Sequence, residues 1–143
     1  MRNIKTNVTR LNSDAMKELK LKQVQYEKET WKRVLYFMSE ENICLKNRLS
    51  EVLKDPFNYN WLEQLECFQT SFVKFDNLVH LLRDDLAEVE TLLTTGIPGE
   101  DNTLINMRTK LLALRNVVTT AEKEFIKLKI DFINYLSENV WIR

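Results

Sequence analysis

The chain has 143 residues, of which 44% are hydrophobic and 29% are charged, and its 21 basic side chains balance 21 acidic ones. This length is enough for one domain with a hydrophobic core, and the lack of a basic excess argues against a nucleic-acid-binding protein. No apolar run approaches the roughly 18 residues of a membrane span, and no apolar signal segment opens the chain, so we expect a cytoplasmic protein without a membrane partner.

Helix-breaking residues are confined to two short segments. The two glycines and two prolines fall within "LKDPFN" at residues 53–58 and "TTGIPGEDNT" at residues 94–103. Asp55 suits a helix N-cap, and Pro56 suits the first position of the helix that follows. We therefore predict three helices, approximately residues 12–54, 57–94 and 102–141, after a flexible N-terminal tail of residues 1–11. Residues 12–143 then form a single domain.

The first predicted helix has hydrophobic side chains at alternating steps of three and four residues, which are the a and d positions of a heptad repeat. The positions on this pattern are Leu21, Val24, Lys28, Trp31, Leu35, Met38, Asn42, Leu45, Leu49 and Val52. All but Lys28 and Asn42 are apolar. The pattern predicts that one face of this helix packs into a core.

Lys28 and Asn42 are the polar exceptions, and a buried lysine or asparagine needs a partner. A hairpin that turns near residue 55 would place Asp84 or Asp85 near Lys28, and Gln69 near Asn42. Polar residues at a positions fix the register and orientation of packed helices in many coiled coils. We interpret both residues in this way. The alternative is a polar ligand pocket inside the bundle.

The middle of the first helix, "WKRVLYFMSEENICLKNRL" at residues 31–49, is apolar on more sides than one. Val34 flanks the a and d positions, Tyr36 and Ile43 share a second row, and Phe37 and Cys44 share a third. One bundle cannot cover both outer rows, and a helix that is apolar nearly all round is normally buried. We predict that these five residues form a homodimer interface. The alternative is that the aromatic side chains simply lie on the surface.

The same segment resembles a stretch of small, uncharacterised, all-helical bacterial proteins. The shared elements are W-K-R, E-N and L-K-N-R-L in the same order, and they cover roughly 20 residues around positions 31–49. This group has no known reaction. The resemblance implies a bacterial, cytosolic origin and carries no information about a reaction.

The second and third helices follow the heptad pattern over their whole lengths. In the second helix the a and d residues are Trp61, Leu65, Phe68, Phe72, Phe75, Val79, Leu82, Leu86, Val89 and Leu93. In the third they are Leu104, Met107, Leu111, Leu114, Val118, Ala121, Phe125, Leu128, Phe132, Tyr135, Asn139 and Ile142. A helix with two neighbours needs a wider apolar stripe, and Ile105, Leu112, Ile126, Ile133 and Val140 supply a second row in the third helix, interrupted by Thr119.

Charge is distributed unevenly between the predicted helices. The net charge is +4 for residues 1–55, −5 for residues 56–95 and +1 for residues 96–143. An acidic middle helix between two more basic ones favours neighbour pairing in chain order. We predict an all-α fold, an antiparallel up-down-up bundle of three long helices with coiled-coil-like heptad packing.

Asp76, His80, Asp84 and Glu88 lie four residues apart along one face of the second helix. Four such ligands raise the question of a metal site, but His80 is the only histidine and zinc sites normally draw converging His or Cys ligands. We interpret the stripe as a solvated flank, with a metal site as the alternative. Cys44 and Cys67 fall at c positions on the far sides of their helices, so we expect two free thiols.

The sequence contains no phosphate-binding glycine loop, no dinucleotide fingerprint and no nucleophile paired with a base. We therefore predict a non-enzymatic structural or interaction module without a cofactor. It would self-associate through the first helix, as a homodimer, and could act as an adaptor or scaffold for another cytosolic protein. The alternative function is a ligand- or metal-binding helical bundle.

Overall fold

The computed structural model describes residues 2–56, 61–95 and 101–140, and these residues form three long helices. Helix α1 runs from Arg2–Lys54, α2 from Leu62–Thr95 and α3 from Asp101–Tyr135, and a π-helical turn, Leu136–Val140, continues α3. Every helix packs against both of the others. The predicted all-α three-helix bundle is therefore confirmed.

The core lies where the heptad pattern places it. Among the largest side chains, Phe72 and Phe132 are completely buried and Phe125 is 2% exposed. The rings of Phe72 and Phe132 meet edge-on with centroids 5.1 Å apart, and Phe68 lies 5.2 Å from Phe132. These contacts join α2 to α3, and aromatic pairs of this kind are worth about 0.5–1.5 kcal/mol beyond the area that they bury.

Two helix boundaries differ from the prediction. Helix α1 begins at Arg2 and so extends through residues 2–11, which were predicted to be a tail; this segment has no glycine or proline to stop a helix. Helix α2 begins at Leu62 and not at residue 57. Pro56 belongs to a short 3₁₀ turn that follows α1, and the Asp55 N–H donates to the Val52 carbonyl at 3.3 Å.

The register of the α1–α2 hairpin differs from the prediction. The contacts of α1 lie at higher residue numbers in α2 than a turn near residue 55 would give. Asn42 therefore bonds to Phe72 and Asp76, and the predicted partner Gln69 is wrong. Residues 57–60, which complete the connection, lie outside the described part of the chain, as do residues 96–100 of the second turn.

Lys28 is displaced in the same direction. Its Nζ lies 3.9 Å from a carboxylate oxygen of Glu90, and the predicted partners Asp84 and Asp85 are exposed residues of α2. The predicted pairing is wrong because it assumes a turn near residue 55. Every pairing in a hairpin depends on where the turn lies.

The second apolar row of α3 is exposed, contrary to the expectation that a neighbouring helix covers it. The exposed fractions are 59% for Ile105, 59% for Leu112, 49% for Ile126 and 37% for Ile133. The reason is rotational: these residues occupy b positions, whereas the neighbours meet α3 at e and g positions. Lys129 at an e position bonds to Glu41 of α1, and Lys110 at a g position bonds to Glu88 of α2.

The π-helical turn at the end of α3 alters the last heptad. Leu136 is 1% exposed and belongs to the core, although the heptad pattern predicted Tyr135 and then Asn139. A π turn inserts a residue into a helix without ending it, so Leu136 rotates inward beside a partly buried Tyr135. Asn139 donates to the Tyr135 carbonyl at 3.0 Å. Ile142 lies outside the described residues.

Candidate interaction surface

The orientation of α1 is defined by ion pairs on both sides of its core face. Lys46, at an e position, bonds to Asp76 of α2, and Glu41, at a g position, bonds to Lys129 of α3. Side chains at e positions of α1 therefore face α2, and those at g positions face α3. The b and c positions lie between them on the outer side of the helix.

Asn42 lies inside the α1–α2 contact and is 2% exposed. Its Nδ2 donates to the Phe72 carbonyl at 2.9 Å and to Asp76 Oδ1 at 2.7 Å, while Lys46 binds the other oxygen of Asp76. Asn42 Oδ1 is buried without a hydrogen-bond partner among the described residues. The two donated bonds join α1 to α2 at one height, which fits the predicted role of Asn42 in fixing the register.

Lys28, the other polar a residue, keeps its ammonium group at the edge of the core. Its side chain is 12% exposed, and its Nζ lies 3.1 Å from Glu29 and 3.9 Å from Glu90. The hydrogen bond from Lys28 lowers the pKa of Glu29 below its usual value. Glu90 also accepts a hydrogen bond of 3.0 Å from Lys32, which raises the pKa of Lys32. Glu29 and Glu90 thus place negative charge beside the Lys28 ammonium group.

Four of the five residues predicted to form an interface lie on the open side of α1. Tyr36 is 62% exposed, Phe37 is 63% exposed, Ile43 is 42% exposed, and Cys44 is also exposed. Val34 is partly buried against the core. We call Tyr36, Phe37, Ile43 and Cys44 the α1 patch.

The α1 patch borders two different grooves. Tyr36 and Ile43 occupy b positions, beside the e positions that face α2, whereas Phe37 and Cys44 occupy c positions, beside the g positions that face α3. Each row of the patch is therefore next to another helix without being covered by it. The bundle leaves both rows exposed, whereas the sequence pattern predicted only that at least one of them would be exposed.

The proposed metal ligands of α2 do not converge. Asp76 is turned toward α1, where it binds Asn42 and Lys46, whereas Glu88 binds Lys110 of α3 at 2.8 Å. A four-residue spacing rotates each successive side chain by about 40° around the helix, so the stripe from Asp76 through His80 and Asp84 to Glu88 spans two sides of α2. Within the described residues, no group of three metal-ligating side chains lies together.

Cys44 and Cys67 are free and exposed, which confirms the expectation of two free thiols. Their c positions turn both side chains away from the α1–α2 contact, so the register of the hairpin does not bring them together.

A groove between α1 and α3 was missed by the sequence reasoning. It has a volume of about 430 Å³ and lies beside Val24 of α1 and Leu112 of α3. Arg108 and Arg115 line it at e positions of α3, next to the exposed b row. The sequence did contain a detectable pattern, because the successive e positions Arg108 and Arg115 are basic and lie beside the apolar b positions Ile105 and Leu112.

Comparisons with known proteins give no relative for this chain: no family model, curated protein or solved structure matches it. The resemblance of residues 31–49 to bacterial helical proteins therefore stays a prediction. Within the described residues, no helix contains a stretch that is both long enough and apolar enough to cross a bilayer.

Proposed function

We propose that this protein is a non-enzymatic interaction module of the cytoplasm that forms a homodimer through the α1 patch. The observation that supports it is the exposure of the adjacent aromatic residues Tyr36 and Phe37, at 62% and 63%, in the middle of α1. Covering a large apolar side chain stabilises an assembly by about 1.5–3 kcal/mol. Leaving two such side chains next to each other in water is therefore unfavourable.

The chemistry of the α1 patch resembles the centre of a protein interface. Interface cores are enriched in aromatic residues and depleted of charge, while the rim remains polar. Tyr36, Phe37, Ile43 and Cys44 carry no formal charge, and Glu40 and Arg48 are exposed close to them along α1. A two-fold dimer requires only one such patch, because each copy uses the same surface.

A homodimer of this kind would present two copies of the α2 and α3 outer surfaces to other molecules. We infer from this arrangement a role as a scaffold or adaptor for another cytosolic protein. Asp76 and Glu88 of α2 are engaged by lysines of two different helices, so the same geometry favours protein partners over a metal held by the acidic residues of α2.

The test is the solution mass, measured by light scattering on the wild type and on Phe37→Glu. The matched control is Leu81→Glu, because Leu81 is also 63% exposed but belongs to α2. Leu81 shares its rotational position with Glu88, which bonds to α3, so it faces away from the α1 patch. We expect a wild-type dimer, a folded Phe37→Glu monomer and a Leu81→Glu dimer.

A monomeric wild type at tens of micromolar would reject self-association. Dissociation of the Leu81→Glu variant together with Phe37→Glu would place the interface elsewhere. Circular dichroism of both variants shows whether a change in mass reflects the surface or a loss of folding.

A further inference from the structure

The groove between α1 and α3 combines an apolar surface with positive charge. We call it the α1–α3 groove and define it by Val24 of α1, by Ile105 and Leu112 of α3, and by the cations around them, which are Lys20, Arg108 and Arg115. Ile105 and Leu112 are each 59% exposed, while Val24 belongs to the core at 2%. The groove therefore offers apolar contact area that nothing in the described chain covers.

The cations of the α1–α3 groove differ from two lysines of α3 that also lie at e and g positions. Lys110 and Lys129 are each paired with a glutamate of a neighbouring helix. Among the described residues, the side chains of Lys20, Arg108 and Arg115 form no ion pair. Glu27, the acidic residue of the groove, already accepts a hydrogen bond from Gln23 at 3.3 Å.

The unpaired cations of the α1–α3 groove indicate the charge of a binding partner. Residues at e positions of packed helices select partners by charge, and Arg108 and Arg115 occupy successive e positions directly beside Ile105 and Leu112. Arginine also favours bidentate contact with carboxylates. A molecule that fills this groove should therefore be acidic along its edges and apolar toward Ile105 and Leu112.

The spacing of the apolar residues indicates the shape of that molecule. Ile105 and Leu112 are seven residues apart in α3 and are equally exposed. A seven-residue repeat on a helix is matched by the apolar face of a second helix that packs along it. We propose that the α1–α3 groove binds an acidic amphipathic helix of another protein, which completes a four-helix arrangement locally.

This site is separate from the proposed dimer interface. The Glu41–Lys129 pair sets the level of α1 against α3, and on that register Leu112 lies beside Val24. Val24 and Phe37 are separated by about 20 Å along α1 at 1.5 Å per residue. A short helix can therefore occupy the groove without touching Phe37, and the two proposals can fail independently.

A second copy of this chain is a less suitable occupant. Its acidic helix is α2, with a net charge of −5 over residues 56–95. In a three-helix bundle the outer surface of α2 lies opposite the groove between α1 and α3. A copy that placed its α2 in the groove of another copy would still have its own groove free on the opposite side. A third copy could bind there, and such head-to-tail contacts grow into open chains.

The test uses an alanine-rich helical peptide of about three heptads, with leucine at a and d positions and glutamate at e and g positions. The control peptide carries lysine in place of every glutamate. Binding is measured by fluorescence anisotropy to the full chain and to its Phe37→Glu variant. We expect the acidic peptide to bind both proteins, with an affinity that falls as salt rises, and the basic peptide to bind at least tenfold more weakly.

Charge-reversal variants locate the site. Arg108→Glu combined with Arg115→Glu should weaken binding of the acidic peptide at least tenfold. Lys74→Glu combined with Arg83→Glu, which changes the two exposed basic residues of α2 by the same charge, should leave it within about twofold. Circular dichroism confirms that both double variants are folded.

Several results would overturn the proposal. These are equal binding of acidic and basic peptides, no binding of either, or equal losses in the two double variants. Growth of the wild type into large assemblies that the arginine reversals abolish would identify a second copy as the occupant. Arginine-dependent binding to vesicles of anionic phospholipid, without binding of the acidic peptide, would identify a membrane surface.

Discussion

The side-chain amide of Asn42 donates a hydrogen bond of 2.9 Å to the main-chain carbonyl of Phe72, across the contact between α1 and α2. A carbonyl in the middle of a helix already accepts a bond from its own helix, so this contact uses a second lone pair. It fixes the height of one helix against the other. It does so at a cost, because Asn42 Oδ1 is buried without a partner among the described residues.

Replacing Asn42 by leucine should therefore increase stability. Leucine has the same branching at Cγ as asparagine and lacks the unsatisfied oxygen, while Asp76, whose side chain is 28% exposed, keeps its bond to Lys46. We expect the free energy of unfolding in urea to rise by about 1 kcal/mol. Asn42→Ala is the control, and the cavity that it leaves should lower the free energy of unfolding. A leucine variant less stable than the alanine variant would contradict the interpretation.

Two phenylalanines of equal chemistry should differ sharply in their contribution to stability. Phe72 is completely buried between Phe68 and Phe132, whereas Phe37 is 63% exposed. Phe72→Ala should lower the free energy of unfolding by about 3–5 kcal/mol. Phe37→Ala, measured on dilute protein, should change it by less than about 0.5 kcal/mol. Similar losses for both variants would mean that Phe37 is not a surface residue of the monomer.

The two free thiols provide a probe of the proposed dimer. Cys44 belongs to the α1 patch, and Cys67 is an exposed cysteine of α2 outside it. In the single-cysteine variants Cys67→Ser and Cys44→Ser, we expect the reaction of Cys44 with maleimide to slow several-fold as protein concentration rises. The reaction of Cys67 should stay constant.

Adding Phe37→Glu to the Cys67→Ser variant should remove the concentration dependence at Cys44. If Cys44 reacts at the same rate in dilute and concentrated protein, it does not lie in an interface between copies.

Tyr135 links stability to alkaline pH. Burial raises the pKa of Tyr135 above its ordinary value of 10.0, so the folded state holds the phenolic proton more tightly than the unfolded state does. Its contribution to stability is therefore complete below about pH 10 and is lost as pH rises through the folded pKa. Tyr135→Phe keeps the ring but cannot ionise.

The measurement is urea unfolding of the wild type and Tyr135→Phe at about pH 9 and pH 11. We expect the wild type to lose more stability than the variant between these values. An identical loss in both proteins would show that ionisation of Tyr135 does not contribute.

The core was predictable because it depends on periodicity alone. Residues such as Leu35, Phe72 and Leu111 repeat at steps of three and four with almost no glycine or proline to disturb them, and all three are buried. Local helix geometry is enough to place them on one face. Nothing about the position of the neighbouring helices is needed.

Partners across the bundle were not predictable in the same way. The contacts of Asn42 and Lys28 depend on where α2 starts, and Pro56 suggested a start that the structure moves to Leu62. The expectation that a neighbouring helix covers the b row of α3 was wrong for a related reason. Hydrophobicity shows that Ile105 prefers to be covered, but not which direction its neighbours occupy.

The α1–α3 groove illustrates the same limit. Lys20 and Arg108 lie far apart in the sequence, and no local pattern connects them. Only the register given by Glu41 and Lys129, which are 88 residues apart, brings them to the same height. The basic e positions of α3 identify Arg108 and Arg115 from the sequence, but not the helix that they face.

The chain distances spanned by these contacts also favour a particular order of folding. Glu88 and Lys110 are separated by 22 residues and Asn42 and Asp76 by 34, whereas Glu41 and Lys129 are separated by 88. Closing a longer loop costs more entropy, so each helical hairpin should form before α1 and α3 meet. The contact between α1 and α3 would then be the last to form and the first to open. Amide hydrogen exchange, which reports local opening, should be fastest along the side of the bundle where the α1–α3 groove lies.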